Sequence, residues 1–283
     1  QNSLIKNEID IEWDKLNYRI NKGIKTSNYK LKWYESIPGI LFKPIYKPAI
    51  AVIALIVLIT IYVLQIKEKP ITTVSVSTNA GEKRTVVLPD ASTVLLNYSS
   101  KIQYPKQFGE IRDVKLNGEA FFSVTKNKNQ FKVITNNAVI TVLGTKFSIK
   151  SDEIKTDIFV QEGKVNLKQL KSDDTGLNVS AGQRSKVENN QLPSVLEFID
   201  ANDALSWMNN ILTFNQTPLY DVESELEKLY GIPVIIENED IKNLTLTGSF
   251  KYSMPVDSVL DMICLALELK YEKQQGKYSV STK

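Results

Sequence analysis

The chain holds 283 residues with a formal net charge of +3, and 42% of its side chains are apolar and 24% charged. That length suits two or three modest folded domains, and so small a charge lacks the dense basic face that direct nucleic-acid binding needs. With no histidine and one cysteine, Cys264, the chain has no Ser-His or Cys-His mechanism, no internal disulfide and no metal-ligand spacing. No cofactor and no metal site are expected.

The chain begins at Gln1, which reads as a trimmed start with residues missing upstream. Ile5, Ile9, Trp13, Leu16 and Ile20 then recur at helical spacing, with charged residues such as Lys6, Asp10 and Arg19 around them. One such helix cannot build a core alone. Its stripe predicts a partner-protein groove, with the bilayer surface as the alternative. Residues 1–48 are read as a short cytoplasmic segment.

Residues 49–66 follow as AIAVIALIVLITIYVLQI, uninterrupted by charge. The length is near the lower limit for crossing a hydrocarbon core and predicts a transmembrane helix. Tyr62, Val63, Leu64, Gln65 and Ile66 make a poor cleavage site, which argues against a signal peptide. Lys30, Lys32, Lys43 and Lys47 precede the span, against Lys67 and Lys69 just after it. This asymmetry predicts a single-pass inner-membrane protein with a cytoplasmic N-terminus and a periplasmic C-terminus.

Residues 71–190 alternate short Val-, Ile-, Thr- and Phe-rich runs with turn residues, which predicts an all-β domain. Sandwich and solenoid both remain open, with strand density leaning towards a solenoid. The Leu88-Pro89-Asp90-Ala91 turn suits proline, but its last position favours glycine. If Ala91 needs a positive φ, it costs on the order of 1 kcal/mol. Gly118 predicts a close strand approach and a bend. Glu119 has no partner carboxylate or histidine to make it a catalytic acid, and is expected to cap backbone amides. Gly163 marks a further turn.

Residues 200–283 predict a small α+β domain of order β-α-β-β-α-β-β. Thr217 and Pro218 read as N-cap and first helical residue. Leu219, Val222, Leu226 and Leu229 share a face, Gly231 closes the helix, and Pro255 opens a second one. Cys264 is expected in the core. The whole chain thus predicts a mixed fold of N-terminal helix, transmembrane helix, all-β domain and α+β domain.

Four ordered blocks carry a resemblance: GEKRTVVLPDASTVLLNYSSKIQYP from Gly81, VKLNGEAFFSV, FKVITNNAVITVLGTKFSI, and VQEGKVNL followed by AGQRSKV. They resemble the FecR domain of anti-sigma factors and sigma regulators, departing at Ala91, where the family usually has glycine. FNQTPL, ELEKLYGIPV, LTGSF and the final LKY look like the C-terminal domain of Bacteroidetes-type members, similar to the secretin/TonB short N-terminal fold. The resemblance implies a transducer, not an enzyme. The signalling domain of an outer-membrane TonB-dependent transporter would contact the C-terminal part, with Leu244, Leu246 and Phe250 as candidate contacts. An extracytoplasmic-function sigma factor would bind Ile5, Ile9, Trp13, Leu16 and Ile20. Regulated proteolysis would carry the signal and bring in an intramembrane protease. Some family members self-cleave at a Gly-Thr bond, for which Gly144 and Thr145 are the candidates. The rival readings are a membrane-anchored assembly module and an anchored glycan hydrolase, the latter needing a carboxylate pair that is not recognisable here.

Overall fold

The computed structural model describes residues 12–20, 22, 47–65, 72–172, 175–188, 191–198 and 200–283. The chain divides into two units, Gln1–Lys69 and Pro70–Lys283. In the first, residues 12–20 form helix α1 and Lys47–Gln65 form the 19-residue helix α2. Every described side chain of α2, at 51–62, is exposed. Among the described residues no helix is long and apolar enough to cross a membrane.

The second unit begins with two sheets, built from thirteen strands and joined through one of them. The strands are β1 (Thr73–Ser77), β2 (Arg84–Val87), β3 (Thr93–Leu96), β4 (Lys101–Pro105), the long β5 (Arg112–Ser123), β6 (Phe131–Ile134) and β7 (Ala138–Val142). They continue with β8 (Lys146–Ser151), β9 (Lys155–Glu162), β10 (Lys164–Gln169), β11 (Leu177–Ser180), β12 (Gln183–Glu188) and β13 (Ser194–Phe198). The first sheet runs β1-β4-β5-β6-β7-β10-β11. The second runs β2-β3-β5-β8-β9-β12-β13.

Strand β5 belongs to both sheets. Its first half pairs with β4 and β6, and Gly118–Ser123 pairs with β3 and β8. The switch falls at Gly118, with φ +98°. A Cβ there would sit 2.4 Å from the Ser100 hydroxyl and 2.7 Å from its Cα. The expected close approach is therefore a requirement for glycine. Val114, Leu116, Phe131, Ile140 and Leu167 from the first sheet share one core with Val94, Phe122, Phe147, Ile149 and Val160 from the second. The domain is a sandwich closed on a single core. A solenoid would stack parallel rungs, whereas among the described strands of this domain only β5 and β6 pair in parallel. Strand β13 carries the second sheet beyond the expected end at residue 190.

Arg112, at the start of β5, is almost wholly buried against Asp90 at 2.6 Å. It also donates to the carbonyls of Thr125 at 3.0 Å and Asn129 at 2.8 Å, and lies over the Phe131 ring. Asp90 in turn accepts from the backbone and hydroxyl of Ser92. One guanidinium thus fixes the 88–92 turn and the 125–129 loop to the strand that joins the sheets.

The C-terminal lobe opens with the short helix α3 (Ala201–Ala204) and a 3-10 turn over Ser206–Asn209. Next come β14 (Ile211–Pro218), α4 (Leu219–Tyr230), β15 (Val234–Ile236), the short α5 (Glu239–Lys242), β16 (Thr245–Lys251), α6 (Val256–Ala266), β17 (Leu269–Gln274) and β18 (Lys277–Thr282). The expected order holds, with α5 inserted. The strands form two sheets, β14-β16 and β15-β18-β17. Helices α4 and α6 bury Leu219, Val222, Leu226 and Leu229, and Val259, Leu260, Ile263 and Cys264. The N-cap of α4 is Pro218, not Thr217. Strand β14 runs on through Pro218, and the Thr217 hydroxyl accepts from the Asn215 N–H at 3.1 Å instead of from a helix N–H.

Ala91 does adopt a positive φ, +62°. Ala91→Gly should raise the stability of the Pro70–Lys283 unit by about 1 kcal/mol, read as a higher urea midpoint with an unchanged slope. A lower midpoint would show that the turn does not strain the chain.

Candidate functional site

The two lobes of the second unit meet along a seam built from β3, β8, β9 and α4. Tyr98, two residues beyond β3, inserts its ring into the core of the C-terminal lobe. It packs edge-on against Tyr252 at 5.5 Å, and its hydroxyl donates to Glu225 at 3.1 Å. Glu225 lies on the buried face of α4 and also meets Lys150 of β8 at 3.0 Å and Lys228 at 3.4 Å. Beside this cluster, Lys155 pairs with Asp221 at 3.1 Å, and the Ser99 hydroxyl donates to the Lys228 carbonyl at 3.1 Å. Lys83 donates to the Trp207 carbonyl at 2.8 Å and lies over the rings of Trp207 and Tyr252.

Burial penalises the Glu225 carboxylate, but Lys150 and then Lys228 more than compensate and hold its pKa down at about 2. Burial also works against the Lys150 ammonium. Glu225 and then Glu119 outweigh it and hold that pKa above the ordinary lysine value. Lys150 keeps 41% of its side chain exposed, so water softens this coupling. Glu119 is pushed upward by its own desolvation. It accepts from the Asn97 amide at 2.7 Å, a side-chain contact in place of the expected backbone amides.

A cleft of about 920 Å³ opens along the seam, lined by Lys150, Asp157, Phe159 and Arg184 on one side and by the whole of β14 on the other. Among the described residues no group of three or more metal-binding side chains converges. Cys264 is buried, and burial raises its thiol pKa to about 11.

Of the residues singled out in the sequence, Gly144, Thr145, Leu244, Leu246 and Phe250 do not line this cleft. Trp13, Leu16 and Ile20 are exposed on the described part of α1, and Ile5 and Ile9 lie outside the described residues. Leu246 and Phe250 are core residues and offer a partner no surface, so Leu244 alone of that trio is exposed. Gly144 and Thr145 sit together between β7 and β8, and Gly144 is not among the glycines with a positive φ. Glycine is needed because a Cβ would lie 2.5 Å from the Lys126 Cα. The buried Thr145 hydroxyl donates to the Lys164 carbonyl at 3.0 Å.

Sequence reasoning missed Tyr98, Lys150 and Glu225. One signal was present: Glu225 sits between Val222 and Leu229 on the apolar stripe of α4, and a carboxylate there demands a partner.

The family model described as FecR protein matches residues 74–166, and that described as FecR, C-terminal matches residues 211–280. The fold is shared with two crystal structures, each described as that of a candidate anti-sigma factor from Parabacteroides distasonis ATCC 8503. One is 27% identical, with a TM-score of 0.67, over 74% of this chain and 99% of its own. The other is also 27% identical, with a TM-score of 0.68, over 75% of this chain and 100% of its own. No curated protein matches the chain. The chain belongs to the FecR family of sigma-factor regulators.

Because the Glu225 pKa is depressed from an ordinary 4.5 to about 2, its ionised form stabilises the fold above pH 4.5, and that contribution is lost as pH falls towards 2. The raised pKa of Glu119 acts in the opposite sense, favouring the fold while it is protonated and losing that contribution as pH rises. Denaturant midpoints of the wild type should therefore fall steeply below pH 4.5, and Glu225→Gln should flatten that fall. At neutral pH the variant should lose about 1–3 kcal/mol, because Lys150 is left with a weaker partner. Parallel acid limbs in the two proteins would refute this role for Glu225.

Proposed function

We propose that this chain relays a signal across the inner membrane to an extracytoplasmic-function sigma factor, acting by protein contact and not by catalysis. The observation that carries the reading is α2, an apolar helix with all its described side chains exposed, joined in sequence to a compact FecR unit. A water-soluble protein does not leave Val52, Ile53, Leu55, Ile56, Val57, Leu58, Ile59 and Ile61 bare without a partner. The Thr60 hydroxyl is satisfied within the helix by the Ile56 carbonyl at 2.7 Å, which suits an apolar medium.

In this reading residues 49–66 anchor the chain, with residues 1–48 in the cytoplasm and the FecR unit in the periplasm. The apolar residues Trp13, Leu16 and Ile20, continuing to Ile9 and Ile5, contact the sigma factor. The periplasmic unit receives the signalling domain of an outer-membrane TonB-dependent transporter. One helix is a poor conductor of small conformational changes, so regulated proteolysis by an intramembrane protease is the simpler relay. Self-cleavage at Gly144-Thr145 is an optional earlier step, and SDS gels of the purified chain would show either two fragments or one intact band.

Two measurements test the scheme. Alkaline phosphatase fused after Lys283 should be active in cells, whereas the same enzyme fused ahead of Gln1 should not; the reverse would invert the orientation. Trp13→Asp should lower recovery of the sigma factor with the full chain by about tenfold. Undiminished recovery would exclude the α1 stripe as the contact.

A further inference from the structure

The two sheets of the sandwich carry their charge differently. On β8, β9 and β12 of the second sheet every cation has a carboxylate: Lys146 meets Glu162, Lys150 Glu225, Lys155 Asp221, Arg184 Asp157 and Lys186 Glu188. The lysines of the first sheet are Lys101 on β4, Lys115 on β5, Lys132 on β6, and Lys164 and Lys168 on β10. None of these forms an ion pair with a described residue.

All five point away from the core. Ile102, Leu116, Phe131, Val133, Val165 and Leu167 stand next to them along the strands and are core residues, and successive side chains of a strand face opposite ways. The register spreads the lysines over one surface. Lys115 lies opposite Ile134, Ile134 opposite Val139, and Val139 opposite Lys168, while Lys132 lies opposite Thr141 in the next row. Lys101 faces Asn117 across β4 and β5. Asp113, opposite Lys132, is the one carboxylate that the described strands add to this face, and its Oδ1 is buried. None of the five lysines lines the seam cleft or the smaller cleft beside Phe108 and Arg112. A flat face of one sign, several strands wide, suits an extended anionic surface.

The occupant follows from where the chain enters the sheet. Strand β1, the first after α2, belongs to this sheet through β4. Helix α2 ends at Gln65 and β1 begins at Thr73, so the connection reaches at most about 28 Å at ~3.5 Å per residue. With α2 in a bilayer, that tether keeps the sheet within reach of the headgroups, where anionic phospholipids attract lysines.

We infer that the outer face of the first sheet rests on the anionic phospholipid headgroups of the membrane that holds α2, with Lys101, Lys115, Lys132, Lys164 and Lys168 against the phosphates. The inference rests on the anchor proposed above. The seam is built on β3, β8 and β9 of the other sheet, so this contact leaves the cleft turned away from the bilayer.

The full chain reconstituted in vesicles tests the contact. A single exposed cysteine, Asn117→Cys on the lysine face or Gln161→Cys on the second sheet, takes a thiol-reactive fluorophore while the buried Cys264 stays unlabelled. Nitroxide on the lipid headgroups then quenches the dye that lies against the bilayer. Quenching at position 117 should be about threefold stronger in vesicles containing phosphatidylglycerol than in phosphatidylcholine alone. The gain should vanish in ~1 M salt, where the Debye length is about 3 Å. Lys101→Glu combined with Lys115→Glu should abolish it too, and the salt arm reads the same contact on unaltered lysines if that variant folds poorly. Position 161 should show no dependence on lipid charge. Equal quenching at position 117 in the two lipids, in a chain that alkaline carbonate does not strip from the vesicles, leaves the anchor standing and overturns the inference. A chain that carbonate does strip sinks the anchor reading, and the inference with it. A gain at position 161 instead puts the second sheet on the bilayer and also overturns it. So does weaker self-association of the double variant with quenching blind to lipid charge, which gives the face to a second copy of the chain.

Discussion

The second unit depends on a carboxylate placed where α4 should be apolar. Glu225 is buried on the helix face that packs inward, and the helix is stable there only because Lys150 and the Tyr98 hydroxyl reach it from the neighbouring sandwich. Neither lobe satisfies that group fully by itself, since among the described residues Lys228 is its single partner from within the C-terminal lobe. The cluster therefore makes the lobes interdependent. Tyr98 adds a directional element, because its ring completes the apolar core of the lobe to which it is not joined by sequence. Such a charged joint contributes less to net stability than an apolar one of the same size, but it tolerates far fewer alternative arrangements.

Around that joint the sandwich is rigid for a separate reason. Strand β5 serves both sheets, so the two cannot slide or part without breaking the ladders on each half of it. The Arg112 guanidinium ties the start of the same strand to the 88–92 turn and the 125–129 loop. A stiff sandwich on one side and a small lobe on the other leave the seam cleft as the place where the second unit can change its fit without rearranging a core.

Local pattern made the C-terminal lobe legible. The 219/222/226/229 stripe, the glycine at 231 and the proline at 255 each act within one turn of chain, and the helices lie where they point. The misplaced cap at Thr217 shows the limit, because its hydroxyl is engaged by the Asn215 N–H and β14 extends one residue further, to Pro218. In the sandwich, strands with strong apolar alternation were legible, whereas β4, β11 and β12 carry Lys101, Gln103, Asn178, Arg184 and Lys186 and gave little signal. The choice between solenoid and sandwich depends on pairings such as β5 with β8 and β7 with β10, which no local window contains. The seam was hidden for the same reason. Tyr98 and Glu225 lie 127 positions apart. The family resemblance supplied what periodicity could not, the order of the blocks, but said nothing of how the lobes engage.

The position of β1 has a mechanical consequence. This strand is the first of the sandwich, among the described strands it pairs with β4 alone at the margin of its sheet, and its side chains alternate between exposed and half-buried. A tensile load applied through the preceding chain would fall first on those few hydrogen bonds, ahead of β5 and the core. Residues from Thr73 to Ser77 can thus pay out as slack, some 17 Å if fully drawn at about 3.3 Å per residue, before any pull reaches the folded centre. The unit is built with a fuse at its N-terminal end.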